Sequence, residues 1–205
     1  MSKHTFRRWL GLGLVGVFAS VAAHEGESVP ATWKTQEVKY SYIAFTTAYD
    51  CDSAAQKIKA ILKELGAHPN TKVSTSGCNF NRPSRNFFVT ITAATPIPSA
   101  EAQTTPADQS KQDLLKRLGV RTDLATEQFP AEWKTVDLAK NRRLDLRPGD
   151  CELMEGLSDH VLPKLGMKVT SQRLSCTPHT VGITTPQLTV TALVPTKSPD
   201  AKSGG

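Results

Sequence analysis

Four cysteines are the most reactive side chains here, and their placement limits what they can do. Cys51, Cys78, Cys151 and Cys176 include no C-x-x-C pair and no metal-ligand spacing, and a catalytic thiol is more usually a single unpaired cysteine. An even number in an exported chain indicates two structural disulfides. The histidines are scattered. If a leader is cleaved after Ala23, His24 becomes the first residue and offers an α-amine and an imidazole to one copper or zinc ion, with a second imidazole from His68, His160 or His179. No H-x-H or H-x-x-x-H pair supports such a site, so metal handling through His24 is an alternative and the leading expectation is no cofactor.

Nucleophilic chemistry has little to stand on. There is no G-x-S-x-G, and Ser175-Cys176 ahead of His179 lacks the strand–turn–helix context of an activated serine. Asp50 and Asp150 recur at matching places, where a helix cap explains both. Glu152 and Glu155 stand one helical turn apart and read as a solvated face. The G-x-G at Gly11 and Gly13 falls in an N-terminal apolar run, not in a phosphate loop. A hydrolase without a readable motif is a further alternative, but catalysis is not the expectation.

Aromatic residues point to binding. Trp33 and Trp133 recur in P-A-x-W-K-T and suit rings that close the open end of a small core. Phe80, Arg82, Arg85, Phe87 and Phe88 mix aromatic and basic types, which dominate interface energetics. Their counterpart, residues 177–186, has neither an aromatic nor an arginine. Phe87 and Phe88 are expected to open a strand, which leaves Phe80, Arg82 and Arg85 as the candidate partner-binding residues.

These residues sit on a repeat. Residues 30–35 return as 130–135, and the same offset of 100 carries Asp50-Cys51 onto Asp150-Cys151, Leu62 onto Leu162 and Leu65-Gly66 onto Leu165-Gly166. After a short deletion, Cys78 matches Cys176, Thr90-Ile91-Thr92-Ala93 matches Thr189-Val190-Thr191-Ala192, and Pro96 matches Pro195. In the first copy a strand is expected over 38–46, then a helix capped by Asp50. Its apolar stripe is Ala54, Ala55, Ile58, Ile61, Leu62 and Leu65, and Gly66 ends it. Strands follow over 71–76 and 87–93. The second copy repeats a helix bearing Leu153, Met154, Leu157, Val161 and Leu165, cut short by Pro163, then strands over 169–174 and 188–194. Its first strand is weak, because Lys140, Arg142 and Arg143 replace apolar residues, and only 144–146 are assigned to it.

The expected fold is α+β: a tandem duplication of a disulfide-stapled, ferredoxin-like βαββ unit, as two domains or joined through one sheet. A right-handed crossover makes the first two strands of each unit parallel. That brings the helix start and the end of the second strand together, and predicts Cys51–Cys78 and Cys151–Cys176. The units span residues 24–96 and 129–195. Residues 97–128 form a linker that is rich in Ala, Thr and Pro up to 109 and carries a short amphipathic helix with Leu114, Leu115 and Leu118. Residues 196–205 form a disordered tail.

Residues 1–23 read as a signal peptide, with basic Lys3, Arg7 and Arg8, an apolar run from Leu10 to Val21 and small residues before the cut. The run is too short to span a bilayer, which takes ~20 apolar residues, so no transmembrane segment is expected after cleavage. The leader's three basic and no acidic residues reduce the net charge from +6 to +3, too little and too scattered to predict nucleic-acid binding. With no N-x-S/T sequon, the expected location is a bacterial periplasm or a secreted fraction. The expected function is non-catalytic binding or assembly in the cell envelope or secreted fraction, the partner being another envelope protein or a surface polymer.

Overall fold

The computed structural model describes residues 28–78, 82–102, 128–180 and 182–196. The expected signal peptide, His24, Phe80, the linker helix and all but the first residue of the tail lie outside them. In chain order the elements are β1 (Ser28–Ile43), α1 (Cys51–Glu64), β2 (Lys72–Ser76), β3 (Asn86–Pro98), β4 (Phe129–Asp137), α2 (Cys151–His160), β5 (Lys168–Arg173) and β6 (Gln187–Pro195). Four short 3₁₀ turns lie between β4 and β5. None of these helices is long and apolar enough to cross a membrane.

All six strands join one sheet in the order β2-β3-β1-β4-β6-β5, with every neighbouring pair antiparallel. The order reads the same from either end: second, third and first strand of one half, then first, third and second of the other. Because β3 lies between them, β1 and β2 run parallel without touching. The two halves meet along only four residues of β1 and β4, where Pro30 faces Pro130, Ala31 faces Phe129 and Val29 faces Ala131. Exchanging the halves maps this pairing onto itself, as in an isologous dimer. The proline carbonyls are used alike: Ser99 N–H donates to Pro30 O at 2.9 Å and Thr196 N–H to Pro130 O at 3.0 Å.

The halves differ in length. Val38 faces Ile91 and Ala31 faces Pro98, whereas Val136 faces Val190 and Ala131 faces Pro195. Each arm of the first half is thus two residues longer, and the structural counterpart of Pro195 is Pro98 rather than Pro96. The first strand of the second half is also corrected. It is not 144–146 but the P-A-E-W-K-T segment within β4, just as β1 begins ahead of P-A-T-W-K-T. Residues 138–144 form two 3₁₀ turns started by the side chains of Asp137 and Asn141. The turns drop Leu138 and Leu144 into the core and leave Lys140, Arg142 and Arg143 exposed.

Both helices pack on one face of the sheet over a single apolar core drawn from both halves. It includes Val38, Tyr42, Ile58, Leu62, Val89 and Ile91 from the first, with Leu138, Met154, Leu157, Leu165, Leu188 and Val190 from the second. The halves interlock. Gly66, at φ +88°, ends α1 against β6: a Cβ there would lie 2.8 Å from the Leu193 carbonyl oxygen. Gly156 of α2 lies under the Tyr40 ring, and the Thr95 hydroxyl donates to Leu165 O at 3.2 Å. A smaller cluster of Ala31, Ala131 and Leu193, with Val29, Phe129 and Trp133 packed on it, seals the β1–β4 junction. Trp33 is buried there, 4.6 Å from the Phe129 ring and edge-on to His68 at 5.0 Å.

Candidate functional site

Residues 44–50 leave β1 and cross to the start of α2, which fixes the end of the molecule where the loops gather. The Glu152 carboxylate accepts the backbone N–H groups of Phe45 at 2.7 Å and of Thr46 and Thr47 at 3.1 Å. Glu152 is therefore no solvated face residue; it holds a loop of the other half. Glu155 is exposed as expected.

Asp150 corrects the reading further. Asp50 caps α1, accepting from Ser53 N–H at 3.1 Å, because its ψ of 128° aims the carboxylate along the helix. Asp150 closes a 3₁₀ turn at ψ 2°, and its carboxylate folds back onto the Arg147 N–H at 2.7 Å and makes no helix cap. The same carboxylate takes Lys57 Nζ at 2.7 Å and the Tyr49 hydroxyl, both from the first half. Lys57 Nζ also donates to the Asp145 carbonyl at 3.2 Å. Burial pushes the Asp150 carboxyl above its ordinary range and pulls Lys57 below its own, so the pair forms against the desolvation of both charges. Lys57 lies one position before Ile58 on the apolar stripe of α1, and a lysine at that spacing was the available signal of a buried partner.

Both expected disulfides are present, Cys51–Cys78 with Cα atoms 6.4 Å apart and Cys151–Cys176 at 5.5 Å. They leave no free thiol to act as a nucleophile. A hollow of about 220 Å³ is shared by β1 and α2 and lined by Tyr40, Tyr42, Glu152, Glu155, Asp159 and His160 among others. Burial holds both tyrosyl hydroxyls neutral, with Glu152 adding to the effect at Tyr42. The Tyr42 hydroxyl donates to Thr47 O at 3.0 Å.

The surface of the first half holds the clearest candidate for binding. Ile43 and Phe88 are 62% and 61% exposed. Ile43 faces Asn86 and Ser41 faces Phe88 across the β1–β3 ladder, so the two apolar side chains are diagonal neighbours on the sheet face away from the helices. Phe87 points the other way and is buried. Phe88 therefore belongs to the surface set, from which its place in a strand had excluded it. Arg82 and Arg85 are exposed just ahead of β3, without an ion pair among the described residues. The Arg85 carbonyl accepts from Ala44 N–H at 2.9 Å, and a bridge between Tyr49 and Ser84 ties this loop to the one after β1. Phe45 is also exposed and packs edge-on to His179 at 5.8 Å.

No family model, curated protein or solved structure matches this chain.

The metal candidates are not gathered by the described part of the fold. His68 is buried, with its Nδ1 accepting from Asn70 N–H at 3.1 Å. His160 is exposed at the end of α2, and His179 lies against Phe45 in the loop after the second disulfide. Among the described residues no three His, Cys, Asp or Glu side chains are grouped to hold a metal ion.

Proposed function

We propose that this is an exported, non-catalytic binding or assembly protein of the cell envelope or secreted fraction, built by tandem duplication of a ferredoxin-like βαββ unit. The sequence offset and the mirrored strand order support the duplication. Two disulfides suit an oxidising compartment outside the cytoplasm. The observation that carries the binding reading is the exposed Ile43–Phe88 pair on the sheet face away from the helices. Burying a phenylalanine is favourable by about 1.5–3 kcal/mol, and the fold leaves that gain unused. The partner is an envelope or secreted protein whose apolar contact is rimmed by carboxylates to meet the two arginines. Arg82 and Arg85, exposed in the described part of the loop that leads into β3, complete the proposed surface. In the second half Gln187 takes the place of Phe88, so the surface belongs to the first half alone.

A photo-cross-linking residue at position 88, compared in the exporting cell with the same residue at position 187, tests this. Adducts specific to position 88 that disappear with Arg82→Glu plus Arg85→Glu are expected. The same adducts at both positions, or adducts indifferent to the arginines, would refute it. Both arginines are exposed, so the melting temperature should stay within a degree or two of the parent's.

A further inference from the structure

β5 is the outermost strand of the sheet, and its free edge faces a groove. One side of β5 pairs with β6 and the other meets no strand among the described residues. Five of its six residues are exposed. Beside that edge, an open groove of about 790 Å³ runs between β5 and α2, with Ser158, Asp159 and Met167 in its lining. A second hollow of about 280 Å³ shares Asp159 and Gln172 and prolongs it toward Ser175. An unpaired edge is a template for another strand, and here a helix supplies a wall, as in peptide recognition by strand addition.

The register of β5 directs unlike charges toward its two faces, although Lys168 also borders the groove and Arg173 the second hollow. Gln172 points toward α2, its side-chain oxygen accepting from the Ser158 hydroxyl at 2.7 Å. Lys168 and Arg173 face Thr191 and Gln187, whose side chains lie on the opposite face of the sheet. On the α2 side stand Glu155 and Asp159, both exposed, without an ion pair or hydrogen bond among the described residues. Their placement works against the helix. Like charges at i and i+4 repel, and Asp159 lies in the last turn, where the helix dipole favours a cation. The fold itself does not require them, because the corresponding positions of α1 are Ala55 and Lys59. A second copy is a poor occupant, since antiparallel β5–β5 pairing sets Lys168 opposite Arg173, and like charges facing across strands destabilise the pair.

We propose that the free edge of β5 accepts an extended segment of a partner chain as a seventh strand, with Lys or Arg directed to Glu155 and Asp159 and acidic residues directed to Lys168 and Arg173. This site is separate from the Phe88 surface, and its test is independent of that reading. A fluorescein-labelled peptide of four Lys-Glu repeats has the required alternation. A peptide of four lysines followed by four glutamates has the same composition without it. Anisotropy titrations with the full mature chain should show the alternating peptide binding about tenfold more tightly, and Glu155→Gln with Asp159→Asn should remove about that factor. Amide exchange should slow in β5 and stay unchanged in β2. Methylating alternate backbone nitrogens of the peptide should abolish binding in one phase and spare it in the other.

Equal affinity for both peptides, or binding without protection of β5, would reduce the effect to unspecific charge attraction and overturn the proposal. Protection of β5 that grows with protein concentration alone would assign the edge to a second copy and overturn it equally. Circular dichroism of the double variant, whose altered side chains are exposed, confirms that lost binding is not lost folding.

Discussion

Replacing Lys57 by alanine removes one charge from a pair that bridges the two halves and leaves the other behind. The Asp150 side chain is 5% exposed and that of Lys57 20%. Breaking a buried pair from one side costs about 3–5 kcal/mol. The lower end applies, because Lys57 is partly wet and Asp150 keeps the Arg147 N–H and the Tyr49 hydroxyl. A loss of about 3 kcal/mol, with a urea slope near 2 kcal/mol/M, moves the unfolding midpoint down by about 1.5 M.

The pH dependence has a definite sign. Burial raises the Asp150 carboxyl in the folded state against the lowering effect of the Arg147 backbone N–H, and removing the Lys57 ammonium, 2.7 Å away, takes away a charge that favours the carboxylate. A carboxyl raised on folding contributes stability below its unfolded value of about 3.9 and loses it as pH climbs through the folded value. The Lys57→Ala deficit should therefore be largest at neutral pH and shrink as the solution approaches pH 4. Asp150→Asn should cost about 1–2 kcal/mol, since the amide keeps part of the hydrogen bonding. The double variant should be more stable than the two single losses predict, by about 1 kcal/mol or more. Urea titrations of all four proteins at pH 7 and pH 4.5 decide the matter. A Lys57→Ala midpoint within about 0.3 M of the parent's at both pH values would show that the pair does not hold the halves together.

Three other changes probe the same architecture. Gly66→Ala and Gly166→Ala both place a side chain at positive φ, but only the former meets backbone, 2.8 Å from Leu193 O; chemical denaturation should show the Gly66 variant weaker by at least about 1–2 kcal/mol beyond the Gly166 variant. Tyr40→Phe keeps the ring against Gly156 and deletes a buried hydroxyl that has no hydrogen-bond partner among the described residues, so thermal unfolding should show stability unchanged or raised by up to about 1 kcal/mol. Each disulfide closes a span of 27 or 25 residues, about 3.5 kcal/mol apiece in the chain-entropy model; calorimetry of Cys51→Ala with Cys78→Ala, and of Cys151→Ala with Cys176→Ala, should give similar losses, and a large inequality would mean that one loop is already ordered in the unfolded chain.

Local chemistry was legible along the chain. The apolar stripe of α1, its Asp50 cap and its glycine stop are interactions among near neighbours, so residues 50–66 carry their own instructions. The cysteine pairing followed from topology, because a right-handed crossover leaves one place for the helix start and the second strand's end to meet. The strands around Ile91 and Val190 were equally plain, being apolar runs between turn residues. The remaining features depended on contacts that no local pattern encodes. β4 is polar enough to be missed; it is a strand because β1 and β6 supply partners on both sides, and those pairings span 52 to 64 residues of sequence with β6 and 98 to 104 with β1. Asp50 and Asp150 share a sequence context but not a role, since a 3₁₀ turn started by Pro148 rotates Asp150 away from its helix and into the reach of Tyr49 and Lys57. Phe87 and Phe88 are identical in type and adjacent in sequence; the pleat of β3 buries one and exposes the other. The sequence by itself determined in each half the helix, the two strands that follow it and the staple. Only the tertiary structure decided how the halves interlock, which carboxylates are buried between them, and which side chains are left on the surface, because each of those depends on an atom contributed by the other half or by a neighbouring strand.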